Sequence, residues 1–246
     1  MFKKVIKVSV YVVCFLALIA GGFFVWFTYQ MREMHVLETA KISDSVFVIK
    51  SGICNVYLVK NKNAYVAFDA GADPKKIIEG CKVLSIDPSS VRAVFLTHSD
   101  ADHVDGLPAF PSARVYLSDK EVPLLKEKTH RHFMGMEHMN KLPVSSYDTI
   151  ADGKSVNVNG IIVNVVATPG HTLGSMSYRV GGALFTGDLC IIVNGQVRPM
   201  IKIFTEDMEM DKASIRKIAG LTNINQIYTA HSGYTADIKK AFEMWR

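Results

Sequence analysis

The stretch Thr97-His98-Ser99-Asp100-Ala101-Asp102-His103 decides how this chain is read. It follows Val91–Leu96, a run of strand length, and sets four imidazole or carboxylate groups within six residues. Along an extended loop, His98, Asp100 and Asp102 face one side, because side chains alternate. His103 follows at the start of a helix. Imidazole and carboxylate are the donors of zinc sites, and also of iron and manganese sites. A polar turn with Asp102 as a helix cap is the plainer reading, but such a turn has no need of two histidines.

Three more segments share this shape. Thr168-Pro169-Gly170-His171 follows Ile161–Val166, Thr186-Gly187-Asp188 follows Ala183–Phe185, and Thr229-Ala230-His231 follows Gln226–Tyr228. Each alone reads equally well as a satisfied histidine or a turn aspartate. Together they place metal-competent groups in loops at strand ends, where a rigid scaffold presents functional side chains.

The surrounding pattern predicts the scaffold. Val46–Ile49, Asn55–Val59 and Tyr65–Phe68 are β-rich runs separated by turn residues, as in an antiparallel meander. Asp73 followed by Pro74 predicts a helix to about Leu84. A strand is expected near Arg114–Leu117 and mostly helix over Asp119–Lys141. Further strands are expected at Val156–Asn159, Ile161–Val166, Ser175–Val180, Ala183–Thr186 and Gln226–Thr229. Helices are expected at Met210–Leu221 and Thr235–Arg246. Two successive sets, each β first and α later, fit a mixed α/β fold of two packed sheets with helices outside.

These motifs, in this order and spacing, resemble those of the metallo-β-lactamase superfamily. Phe68-Asp69-Ala70-Gly71 is similar to the structural aspartate turn of that family. The resemblance covers roughly residues 45–240. It implies an αββα sandwich with a two-metal centre at one edge, most often zinc, with manganese or iron as alternatives. On that resemblance His98, Asp100 and His171 hold one metal, Asp102, His103 and His231 hold the other, and Asp188 bridges them. Asp102 is also the candidate to steer or receive a proton, and Asp69 orients the ligand loop from behind. The implied activity is hydrolysis of an ester, lactone, thioester or related bond by a hydroxide held between the metals. Ser99 and Ser175 have no obvious base partner beyond the ligands themselves and read as packing or hydrogen-bonding residues. The resemblance also leaves open a mononuclear iron oxidoreductase of the sulfur dioxygenase kind, a β-lactamase, and a catalytically silent metal-binding protein.

Two positions depart from the family's common pattern. Asp100 stands where histidine is usual, although a subset of the superfamily carries aspartate there. The added charge is expected to make the first metal position more anionic and to favour a harder metal. Asp105 replaces a usual glycine and reads as a solvated residue at a helix start, with an extra polar group near the pocket as the alternative. Between the first and second motifs lies a His/Met-rich run with His130, His132 and His138 and Met134, Met136 and Met139. It reads as a solvated amphipathic helix; a substrate lid and a soft-metal site are the sharper alternatives. Arg131 and Lys141 are candidates to meet an anionic substrate.

Bulk properties narrow the partners. The formal net charge is +5, and without Lys3, Lys4 and Lys7 residues 31–246 carry +2. That balance does not suggest nucleic acid, so a small-molecule substrate is expected. The four cysteines form no CxxC motif; Cys54, Cys81 and Cys190 read as buried small apolar residues, with one disulfide as the alternative. Val8–Tyr29 is an uncharged run of 22 residues, long enough to cross a bilayer. The lysines before it favour a cytoplasmic N-terminus and a catalytic domain on the extracytoplasmic side of the cell membrane. A cleaved signal peptide ending near Leu18–Gly22 is the rival, but the apolar run continues past it. The expected division is 1–7 cytoplasmic, 8–29 transmembrane anchor, 30–45 linker and 46–246 metallo-β-lactamase-like domain.

Overall fold

A computed structural model describes residues 2–133 and 136–246. It divides into two units, Met1–Met34 and His35–Arg246. The first unit is helix α1 (Phe2–Met31), longer than the expected span. Its stretch Val13–Met31 is long and apolar enough to cross a membrane, and Phe15, Leu18 and Phe24 are exposed along it.

The second unit opens with β1 (Ala40–Lys41), β2 (Val46–Ser51), β3 (Cys54–Asn61) and β4 (Ala64–Phe68), followed by helix α2 (Pro74–Val83). The Asp73 side chain caps α2 through the Lys75 amide, as the Asp-Pro pair predicts. Next come β5 (Val91–Phe95), the single turn α3 (Ala101–Val104), β6 (Arg114–Ser118), α4 (Val122–Leu125), β7 (Arg131–Phe133), β8 (Met136–His138) and β9 (Asp148–Ile150). The second half contains β10 (Ser155–Val158), β11 (Ile161–Ala167), β12 (Met176–Val180), β13 (Ala183–Phe185), β14 (Cys190–Val193) and β15 (Gln196–Pro199). It ends with α5 (Met208–Ala219), β16 (Gln226–Thr229), β17 (Gly233–Thr235) and α6 (Ile238–Ala241).

Two sheets result, ordered β1-β2-β3-β4-β5-β6-β9 and β10-β11-β12-β13-β16-β17. Alternation along the strands explains how they pack. In β2, Val46 and Val48 point between the sheets, while Phe47 and Ile49 point outward with Ile77 and Cys81 of α2. The inter-sheet layer is aromatic: Phe68 stacks on Phe185 at 4.0 Å, and Phe185 on Tyr228 at 4.8 Å. The outer face of the second sheet buries Leu184 and Ile227 with Ile215 and Ile218 of α5 and Phe242. This is the expected αββα arrangement.

Several expectations need correction. Residues 30–45 are not wholly a linker, since β1 pairs with β2 and the Leu37 amide donates to Asn55 Oδ1 at 2.8 Å. Asp119–Lys141 is not mostly helical. Helix α4 lasts one turn, Glu127 takes a positive φ of 57° that ends it, and β7 pairs with β8 as a hairpin. Met134 of the His/Met-rich run lies outside the described residues. The last helix is only Ile238–Ala241, and β9 and the β14–β15 hairpin were not anticipated. Cys54, Cys81 and Cys190 are buried and free, so no disulfide joins them.

Helix α5 also buries Asp211, whose two carboxylate oxygens have no hydrogen-bond partner among the described residues. Burial, helped by the charge of Asp188, pushes its carboxyl up to about 8. A raised acid pKa makes folding less favourable as pH climbs from the unfolded value, near 4, to the folded one. Asp211→Asn is therefore expected to stabilise the metal-free protein by about 1–3 kcal/mol near pH 8 and by less near pH 5. Urea unfolding at the two pH values checks this. Phe185→Ala, which deletes the centre of the aromatic layer, is expected to destabilise by about 3–5 kcal/mol in the same assay.

Candidate metal centre

The loop that carries the first motif is held from behind by Asp69. This residue ends the β4 turn with a positive φ of 61°. Its carboxylate accepts from the Thr97 amide at 2.7 Å and from the Thr97 hydroxyl at 2.9 Å, and it meets His103 Nδ1 at 2.9 Å. Because the Thr97 hydroxyl donates to Asp69, its oxygen accepts from His98 Nδ1, 3.0 Å away. His231 Nδ1 donates to the Ile53 carbonyl at 2.6 Å. A ring whose Nδ1 donates backward presents a free Nε2 lone pair forward, as a metal ligand requires.

The other loops are seated by close backbone contact. A Cβ on Gly187, which has φ +53°, would lie 2.3 Å from Thr97 Oγ1, so glycine lets the Asp188 turn rest on the first loop. A Cβ on Gly170 would lie 2.3 Å from the Asp211 Cα, so the His171 loop packs directly on α5. The His231 loop is tied to the first sheet: the Asn55 amide donates to the Ala230 carbonyl at 2.7 Å, and the Tyr57 hydroxyl to the Thr229 carbonyl at 3.0 Å.

The structure brings all seven expected ligand residues into one cleft. His98, His103, His171, Asp188 and His231 are buried; Asp100 and Asp102 are partly exposed. Three sets have donor atoms close enough to hold an ion: His98 with Asp100 and His171, Asp102 with His103 and His231, and His98 with His103 and Asp188. The unpartnered atoms test the fit. His103 Nε2 and Asp188 Oδ1 are only 3.1 Å apart, yet among the described residues neither has a hydrogen-bond partner, and His98 Nε2 has none either. Buried polar atoms are normally satisfied. These lone pairs converge on shared points rather than on one another, which fits divalent cations.

Charge agrees with that fit. Burial and the neighbouring His98 push the His171 imidazole down to about 4, so it is a neutral donor at pH 7. Burial works to raise Asp188, but His231 and His103 hold it well below the usual carboxylate range. Burial works to lower His231, but Asp188 outweighs it and raises the ring. Without a metal, the raised His103 and His231 rings balance the neighbouring carboxylates.

Sequence reasoning missed several contributors. Buried Glu121 accepts from the Ser99 amide at 2.9 Å and from the Thr172 hydroxyl, joining the first two ligand loops. Ser99 and Ser175 do act as hydrogen-bonding residues, Ser175 Oγ accepting from the Thr172 amide at 3.0 Å. Asp100, not Asp102, stands at the N-cap of α3, and its side chain makes no capping bond. It is engaged by Arg131 and Asn140. Arg131 is thus held by protein groups rather than free for substrate. Asp105 lies at the C-terminal end of α3, not its start, and lines a cavity of about 380 Å³ beside Asp100. His132 and His138 line the same cavity, so their segment is a wall of it and not a solvated helix. No metal-competent donor set among the described residues includes a histidine of this hairpin.

Comparison with known proteins agrees with this geometry. A hydroxyacylglutathione hydrolase of Aeromonas hydrophila is 25% identical over 191 residues, covering 76% of this chain and 64% of that protein. A probable polyketide biosynthesis zinc-dependent hydrolase of Bacillus velezensis is 29% identical over 141 residues, covering 56% and 55%. The chain thus spans less than two thirds of the length of these relatives. A solved metallo-beta-lactamase family protein from Thermus thermophilus superposes with a TM-score of 0.66 at 20% identity, covering 83% of this chain and 79% of that one. The family model of the metallo-beta-lactamase superfamily matches residues 49–223, a span that contains Asp69 and six of the seven candidate ligand residues of the cleft, and the chain belongs to that superfamily.

Proposed function

We propose that the chain is a hydrolase with two metal positions, acting on an ester, lactone or thioester bond of a small substrate. One observation carries the reading: Asp188 faces both donor sets. Its Oδ1 lies 3.1 Å from Nε2 of both His103 and His231, and its Oδ2 lies 3.7 Å from His171 Nε2. His98, Asp100 and His171 would hold one ion, Asp102, His103 and His231 the other, with Asp188 between them. Nitrogen and oxygen donors in this number suit zinc, the metal named for the Bacillus relative; manganese and iron are the alternatives.

When bound, such ions lower the pKa of water toward about 7 and polarise a substrate carbonyl. The rest falls to the protein. The backward hydrogen bonds of His103 and His231 keep the donors in place before substrate arrives, which supports a preorganised site. Asp102 is the most exposed of the cleft carboxylates, with 29% of its side chain accessible. Its carboxylate oxygen would take the proton released in attack and pass it to the leaving group. The cavity beside Asp100, walled by Met139, Lys141 and Phe204, has a volume that suits a small substrate. Thioesters come first among candidate substrates, because a hydroxyacylglutathione is one and that is the substrate named for the Aeromonas relative.

The apolar span of α1 is proposed as a membrane anchor, with Lys3, Lys4 and Lys7 on the cytoplasmic side and the cleft outside. Protease accessibility in intact cells and spheroplasts checks that placement.

Elemental mass spectrometry of the full-length chain in detergent is expected to find two divalent ions, with turnover on a panel of thioesters, esters and lactones. A single iron would overturn the two-metal reading and favour an oxidoreductase; no metal after reconstitution would favour a silent protein. Asp188→Ala is expected to lose at least one ion and more than about 100-fold in turnover, beyond what outer partners of a ligand typically cost. His132→Ala is expected to keep both ions and most of the turnover. Loss of turnover in His132→Ala alone would show that the hairpin takes part in the chemistry.

A further inference from the structure

Asp100 puts a carboxylate where an imidazole would be neutral, and the sequence alone suggests a more anionic metal position. The structure supplies a counter-charge that sequence reading did not connect to it. Arg131 of β7 meets Asp100 with a fork: Nε donates to Oδ1 at 3.0 Å and Nη2 to Oδ2 at 2.8 Å. Asn140 Nδ2 donates to Oδ1 at 2.9 Å. Oδ1 is thereby filled by two donors. Oδ2 is the oxygen that faces the cleft, 3.2 Å from His171 Nε2 and 3.5 Å from His98 Nε2.

The guanidinium has nothing to spare. Its Nη1 donates to the His171 carbonyl at 2.6 Å and meets Glu206 Oε1 at 3.2 Å. Its Nη2 also donates to the Phe204 carbonyl at 2.9 Å and lies 3.1 Å from His171 Nε2. Those acceptors use all five N–H groups of an arginine. Arg131 is 7% exposed, and a charge that deep is retained only with well-formed partners. Glu206 meets the far edge of the guanidinium through one contact, whereas Asp100 takes both bonds of the fork, so Asp100 is the carboxylate that Arg131 serves at the cleft.

We infer that Asp100 and Arg131 work as one neutral unit in place of an imidazole: Arg131 cancels the added charge and, with Asn140, leaves Oδ2 as the single oxygen offered to the ion shared with His98 and His171. Arg131 is then a positioning residue for that ion, carried by the same hairpin that walls the cavity. The inference rests on the two-metal reading above.

The test is a zinc-affinity cycle on the full-length chain in detergent, using a competing chromophoric chelator. The proteins are wild type, Arg131→Met, Asp100→His and the double variant. Arg131→Met is expected to weaken one of the two ions by about 10–100-fold, the usual effect of losing a ligand's outer partner, and to leave the other unchanged. Asp100→His alone is expected to weaken the same ion, because an unpaired guanidinium then faces it. The double variant is expected to return to within about twofold of wild type, the scatter of independent effects. The visible spectrum of the cobalt-substituted proteins should show the altered ligand in Arg131→Met. If Arg131→Met does not fold, as judged by thermal unfolding of the metal-free protein, Arg131→Lys replaces it. Lysine keeps the charge without the fork, and a smaller loss at the same ion is expected. Wild-type affinities in the arginine variant, or a double variant no better than Asp100→His, would overturn the inference while the two-metal reading stands. A wild-type chain that binds no ion would remove both.

Discussion

Behind the cleft, the Asp69 carboxylate receives the Thr97 amide and hydroxyl and the inner edge of His103. Through the Thr97 hydroxyl it reaches His98 as well. One buried acid, at the end of a central strand, therefore aims two of the four imidazoles. The Asp188 turn in turn rests on Thr97, because Gly187 leaves it room. Remove the acceptor and the first loop has no reason to keep its shape, since the Thr97 amide and hydroxyl and the His103 Nδ1 would lose the buried group they meet.

The same region shows four ways of keeping an aspartate out of water. Asp69 is surrounded by donors. Asp188 is faced by imidazoles whose protons or metals balance it. Asp100 is forked by a guanidinium. Asp211, with no partner, stays neutral by holding its proton. A carboxylate buried in apolar surroundings must choose among these, because the unpaired ion costs several kcal/mol. The choice made at each position separates the residues free to meet a cation from those that only support the framework.

Much of this was legible in the linear chain. The β-rich run Val46–Ile49 marked a strand, and the Asp73-Pro74 pair marked a helix start. The candidate ligand loops announced themselves because each has a Thr at or just past the end of a strand. What stayed hidden was long-range pairing. Nothing local links Arg131 to Asp100, Glu121 to Thr172, or Asn55 to Ala230, and the last two pairs are made only when the two halves of the fold close. The segment after Pro123 was misjudged for a related reason. Its polar and methionine-rich composition suits a helix or a ribbon equally, and the hairpin is decided by the backbone reversal at Glu127 and by pairing with β8.

The β7–β8 hairpin has two duties that most binding sites keep apart. One of its residues balances a carboxylate of the cleft, while its neighbours form the wall against which a substrate would lie. Change that wall to admit a different molecule, and the guanidinium moves with it; the cleft then offers a different charge to whatever it holds. On the reading proposed here, selectivity for the guest and selectivity for the cation would be written on one short ribbon, and neither could drift through substitution without the other registering the change.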